Sequence, residues 1–120
     1  METIIQILII IAVIWFVMSR FMPVKGVGHI TVQDAKAKLK DKNIQFIDVR
    51  TPVEYKANHR KPFKNIPLAQ LANQTKKLDK SKEVVIICQT GMRSMRAAKI
   101  LKKQGFEKVT IVKGGMSTWV

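Results

Sequence analysis

Apolar and polar positions along this chain fall into four patterns, each implying a different kind of element. Residues 3–18 are almost continuously apolar, with Gln6 the only strongly polar side chain. With Ser19 to Met22 added, the run reaches the ~20 residues that cross a bilayer core. Pro23, Gly26 and Gly28 then mark a short linker over 24–28, and His29 falls beside it. Beyond it, Val32, Ala35 and Leu39 recur at helical spacing to about Lys42, behind Thr31 as an N-cap with Asp34 three residues on. Residues 45–49 (Gln-Phe-Ile-Asp-Val) read as a strand, Thr51-Pro52 as a turn, and 53–57 as a short helix. Residues 58–65 are basic and irregular, with Pro62 among them, and 69–78 form a polar helix. Val84-Val85-Ile86-Ile87 is an unbroken β-branched run, which suits a strand covered on both faces. Residues 94–104 form the best helix of the domain, with Ala97, Ala98 and Leu101 as its inner stripe and Gly105 as its stop. The last strand is 109–112, ending at Lys113-Gly114-Gly115.

Strands alternating with helices predict an α/β layer fold with a mostly parallel sheet flanked by helices. The organisation expected is an N-terminal transmembrane anchor over 1–23, a linker over 24–28 and one domain over 29–120. A cleaved signal peptide is the competing reading of the first segment. It would call for a basic start and small residues before a cleavage site, whereas Glu2 is the only charge ahead of the run and Phe21-Met22-Pro23 follows it. Arg20 and Lys25 lie just after the run and no Lys or Arg lies before it. The positive-inside rule therefore places the protein at the cell membrane, single-pass, with its domain facing the cytoplasm.

Charge narrows the partners. The formal net charge is +14, and apart from Glu2 and Arg20 every charged side chain lies beyond residue 23. Such a surface attracts an anionic leaflet or focuses a small anionic substrate. Nucleic acid is not expected, because the lysines are scattered and the few aromatics are not interleaved with them. Cys88 is the only cysteine, so the chain cannot form an internal disulfide and fits a reducing compartment. Two distant histidines and no CxxC pair leave a zinc site poorly supplied with ligands, and no cofactor is implied.

The candidate chemistry lies in Cys88-Gln89-Thr90-Gly91-Met92-Arg93, between the buried strand and the best helix. A cysteine at such a junction meets converging backbone N–H groups and the positive end of the helix dipole, and both favour the thiolate. Gly91 allows close backbone approach or positive φ. Thr90 offers a hydroxyl. Arg93 either folds back towards a bound anion or pairs with a carboxylate, Asp48 or Glu54. His59 reads as an acid–base group or as a structural one, Asp48 and Arg50 as braces of the strand ends, and Trp119 as a core or capping aromatic.

Four segments in order carry a family resemblance spread over nearly all of 29–120. Asp48-Val49-Arg50 with Glu54-Tyr55 resembles D-V-R-x-x-x-E-[YF]. His59 and Asn65-Ile66-Pro67 resemble a G-H-I…N-I-P segment, Cys88 to Arg93 resembles C-x-x-G-x-R, and Gly114 to Trp119 resembles G-G-[MFY]-x-x-W. Together they resemble a single-domain rhodanese of the membrane-anchored bacterial type. The resemblance implies a sulfurtransferase in which Cys88 carries a persulfide, with Gln89, Thr90, Gly91, Met92 and Arg93 binding the substrate. It also implies a small anionic sulfur donor, thiosulfate or polysulfide, and an external thiol, sulfite or cyanide as acceptor. Two departures stand out: Asn58-His59-Arg60-Lys61-Pro62-Phe63-Lys64 replaces a small apolar stretch, and Gln89 stands where many members carry Arg. Two other functions compete. One is a non-catalytic, membrane-tethered docking or sensing module. The other is a cysteine phosphatase or arsenate reductase, for which the C-x4-R spacing is one residue short.

Overall fold

The computed structural model describes residues 1–21 and 26–119, and in the first of these segments the side chains up to residue 18. Among the described residues five parallel strands form one sheet: β1 (Val27–Ile30), β2 (Ile44–Asp48), β3 (Lys64–Asn65), β4 (Glu83–Ile87) and β5 (Val109–Val112), in the order β1-β5-β4-β2-β3. The central position of β4 follows from its composition. Val84, Val85, Ile86 and Ile87 are each 0% exposed, so both faces of this strand are covered.

Alternation along β4 sorts the core into two layers. Val84, Ile86 and Cys88 pack on one side with Leu71 of α4 (Leu68–Gln74) and with Ala97, Ala98 and Leu101 of α5 (Met92–Lys103). Val85 and Ile87 pack on the other side with Val32 and Ala35 of α2 (Val32–Lys38), and with Phe46, Phe63 and Met116. Each fully buried Val, Leu or Ile contributes about 1.5–3 kcal/mol, so these layers dominate stability. Because every strand pair is parallel, the ends at Asp48, Ile87 and Val112 open on one edge of the sheet, where ligands of such sheets bind.

The predicted elements form with several shifted boundaries. The Asp34 N–H donates to Thr31 Oγ1 as expected, but α2 stops at Lys38. The polar helix breaks into α4 and a 3-10 turn over Thr75–Lys77. The expected turn at Thr51-Pro52 is the start of α3 (Pro52–Ala57), and the irregular basic stretch contains β3. His29 lies in β1, opposite Ile111, so strand pairing begins inside the stretch read as linker. Gly28 and His29 interrupt any apolar alternation there; β5 makes the strand, and local pattern does not.

Residues Glu2–Phe21 form helix α1, whose large apolar side chains from Ile4 to Met18 are between 46% and 71% exposed. The expected transmembrane span is not borne out: among the described residues no helix is long and apolar enough to cross a membrane. The flanking residues used for orientation, the Arg20 side chain, Pro23 and Lys25, lie outside the described residues.

Candidate active site

Cys88 directly follows β4, and its side chain belongs to the layer shared with α5. The residue is 1% exposed, and the Gly91 N–H donates to its Sγ at 2.8 Å. Gly91 is the N-cap of α5 with φ 106°, in the left-handed region. A Cβ there would meet nothing within 4 Å, so conformation and not space calls for glycine. No side chain caps α5, which leaves its first-turn N–H groups and dipole directed towards the loop.

The loop is held from below by the chain after β5. Met116 N–H donates to the Cys88 carbonyl at 2.8 Å, and Ser117 N–H to that of Gln89 at 3.0 Å. At Gly115, φ is 58° and a Cβ would overlap the Cys88 carbonyl oxygen. The closing Gly-Gly segment is therefore the floor of the cysteine loop. Trp119 completes the far layer, edge-on to Phe63 at 5.8 Å between centroids.

Arg93 pairs with a carboxylate. Its Nη1 and Nη2 donate to Glu54 Oε1 and Oε2 at 2.5 and 2.9 Å, which decides between the two alternatives in favour of Glu54. Glu54 also completes a capping box, accepting from the Thr51 N–H and hydroxyl at 3.1 and 3.0 Å. The Arg93 hydrogen bonds, with the Thr51 ones behind them, outweigh burial and hold the Glu54 carboxyl at about 2, against an ordinary value of 4.5. The same pair raises Arg93, with smaller electrostatic contributions from Cys88 and Asp48. A carboxylate depressed in the folded state stabilises above its unfolded value and loses that stabilisation as pH falls. The thermal stability advantage over Glu54→Gln is therefore expected to hold above pH 4.5 and to shrink as pH falls towards 2, in melting curves of both proteins. A constant difference across that window would sink the clamp.

A second ion pair lies deeper. Asp48 is 0% and Arg50 2% exposed. Arg50 Nε donates to both carboxylate oxygens at 3.0 and 3.1 Å, and Nη2 donates to Oδ2 at 2.8 Å. Nη2 also donates to the Asn58 carbonyl at 2.5 Å, and Nη1 to Gln89 Oε1 at 3.5 Å. Asn65 Nδ2 donates to the carbonyls of Asp48 and Arg50, so the bracing extends to β3. A buried pair holds only when its remaining polar groups are satisfied, and here they are. Arg50 thus joins the end of β2, the end of α3 and the second loop residue.

Of the sequence-predicted residues, the structure brings Cys88, Gln89, Gly91 and Arg93 into this constellation. Thr90 and Met92 are exposed on its rim, Met92 at 76%. His59 does not join: its ring stacks on Tyr55 at 4.1 Å and Nδ1 lies 2.9 Å from the Tyr55 carbonyl oxygen. Among the described residues no group of His, Cys, Asp and Glu could hold a metal ion. Sequence reasoning missed Ser94, which is 0% exposed and whose Oγ has no hydrogen-bond partner among the described residues. Its signal was the spacing 94, 97, 98, 101, which puts it at the head of the stripe facing the Cys88 layer. The Asn58 carbonyl has no signal in side-chain chemistry at all.

Comparison with known proteins agrees with this geometry. The family model of the rhodanese-like domain matches residues 31–120. Thiosulfate sulfurtransferase GlpE of Vibrio cholerae is 30% identical over 91 residues, covering 76% of this chain and 86% of its own. The uncharacterized protein YqhL of Bacillus subtilis is 40% identical over 75 residues, 62% of this chain and 60% of its own. The chain likewise spans about half, 51%, of YrkF from the same organism. Among solved structures, a rhodanese-like domain protein of Staphylococcus aureus superposes with a TM-score of 0.70 at 31% identity, covering 78% of this chain and 91% of its own.

Proposed function

The chain belongs to the rhodanese-like domain family, and from that premise we propose that it is a sulfurtransferase carrying a persulfide on Cys88. The Cys88 thiolate attacks the outer sulfur of an anionic donor. With thiosulfate, the donor's S–S bond breaks and sulfite leaves with the bonding pair, as a new S–S bond forms on Cys88. A nucleophilic acceptor (cyanide, sulfite or an external thiol) then takes the outer sulfur and the thiolate returns. No net proton or external electron is needed with cyanide as acceptor. The observation that carries this reading is the Gly91 N–H on Cys88 Sγ, at the uncapped start of α5. Backbone donors so placed stabilise sulfur-centred negative charge as they do an oxyanion.

Gln89 bears on the choice of donor. It contributes no charge, and the nearby cation is Arg50, already bonded to Asp48. That arrangement favours a polysulfide, which has no sulfonate group for a free cation to hold, over thiosulfate. Phosphoryl transfer is less well served, because Arg93 is committed to Glu54. The test is the mass of the intact protein after each donor and then cyanide: a gain of about 32 Da that cyanide removes.

We further propose that residues 1–23 hold the protein at a membrane with its domain on the cytoplasmic side. The support is the apolar sequence and the exposure of α1, together with Arg20 and Lys25 behind it. In flotation with phosphatidylglycerol–phosphatidylethanolamine vesicles, the full chain is expected to float and a chain lacking 1–23 to remain below. Equal partitioning of the two would remove the anchor.

A further inference from the structure

Away from the Cys88 loop, a cavity of about 510 Å³ opens along the outer edge of the sheet, on the β2–β3 side. It lies between the α2–β2 connection, the outer edge of β2 and the segment after α4. Three features describe what it would take. Its walls include the apolar side chains of Leu39, Ile44 and Leu78. Its rim carries Lys40, Lys42, Lys64 and Lys77, all exposed, against a single acidic residue, Asp41. Asp41 already accepts from the Asn43 N–H at 2.8 Å.

The third feature is an open strand edge. β3 pairs only with Ile47 and Asp48, so among the described residues Ile44 to Phe46 have no strand on their outer side. The Ile44 N–H donates to the Asp41 carbonyl at 3.3 Å, which leaves the Phe46 N–H as the open donor on that edge. The chain ahead of β3 cannot supply one. Pro62 lines the cavity and has no N–H. Phe63 turns inward onto Phe46, with its N–H donated to the Arg60 carbonyl and its own carbonyl taken by the Tyr55 hydroxyl. The other side of the cavity is fixed, because the Gln45 side chain donates to the Asp79 carbonyl at 2.8 Å and accepts from the Asp79 N–H at 2.7 Å.

We propose that this cavity binds an extended acidic segment of a partner protein, added as a strand beside Ile44–Phe46. An unpaired strand edge takes a peptide backbone, with alternate side chains directed to the two sides. Here one set of side chains meets the apolar wall, and carboxylates of the other meet the lysines. Three residues of edge span about 10 Å, which sets a motif of about four to six residues. The site stands apart from the Cys88 loop and does not depend on what that loop catalyses.

The test uses the full chain and a fluorescent hexapeptide alternating Glu with Val, with a Gln-for-Glu version as control. The acidic peptide is expected to bind, with amide shifts at Ile44 to Phe46. The double variant Lys42→Glu, Lys77→Glu should weaken it by about tenfold, whereas Cys88→Ser should leave it unchanged. No binding, equal binding of the Gln peptide, or shifts that avoid β2 would each overturn the proposal. So would displacement of the peptide by phosphatidylglycerol vesicles from wild type and from a chain lacking 1–23 alike, which would assign the lysines to lipid headgroups.

Discussion

Cys88→Ser is expected to abolish sulfur loading completely while leaving the domain folded. Wild-type protein treated with a sulfur donor should gain about 32 Da, lose it to cyanide, and gain it again in a second cycle. The variant should gain nothing, because a serine hydroxyl at neutral pH is a far weaker nucleophile than a thiolate. The substitution is nearly isosteric, and the Gly91 N–H that donates to Sγ can donate to a hydroxyl instead. Cys88 is also fully within the core layer, so a hydroxyl there costs about 1–3 kcal/mol, which a folded domain tolerates. Cys88→Ala provides the apolar control for that cost. The donor then separates the remaining readings. Gain with polysulfide but not thiosulfate would assign donor choice to the Gln89–Arg50 arrangement. No gain with any donor would leave a docking module, and Cys88-dependent hydrolysis of an aryl phosphate would make the loop a phosphatase.

The legible and illegible parts of this molecule divide along a physical line. β4 and α5 could be read because burial repeats there at a regular period, two faces for the β-branched run and 3.6 residues for Ala97, Ala98 and Leu101. The cysteine loop was readable as their junction. β1 and β3 were not, since Val27–Ile30 and Lys64–Asn65 are strands only by pairing with β5 and β2. The partner of Arg93 stayed open between Asp48 and Glu54 for a similar reason. Asp48 was already taken by Arg50, two residues along the same chain, and only the folded arrangement reveals that. A closer reading of Thr51-Pro-Val-Glu54 as a capping box would have fixed the Glu54 carboxylate at the start of α3. The apolar run is legible as helix α1, yet among the described residues no helix is long and apolar enough to cross a membrane.

Gly115→Ala is expected to be the most damaging substitution outside the cysteine itself, because it combines strain with a collision. At φ 58° an alanine costs about 1–2 kcal/mol from its own Cβ. That Cβ would also lie on the Cys88 carbonyl oxygen, a backbone atom held by the Met116 N–H at 2.8 Å and unable to turn away as a side chain would. Relief requires the closing turn or the cysteine loop to move, losing the bonds from Met116 and Ser117. A total loss of about 4 kcal/mol follows, at the upper end of single substitutions. For a domain of this size it lowers Tm by roughly 15–30 °C. Gly91→Ala isolates the strain, since φ is 106° there but a Cβ meets nothing within 4 Å. It should cost about 1–3 kcal/mol. The gap between the two melting temperatures therefore measures the contact of the Gly-Gly segment with the loop. If they fell equally, the floor would be yielding, and Cys88 would be positioned by β4 and α5 alone. If Gly115→Ala falls further and also loses persulfide formation at a temperature where it remains folded, the closing turn sets the position of the sulfur.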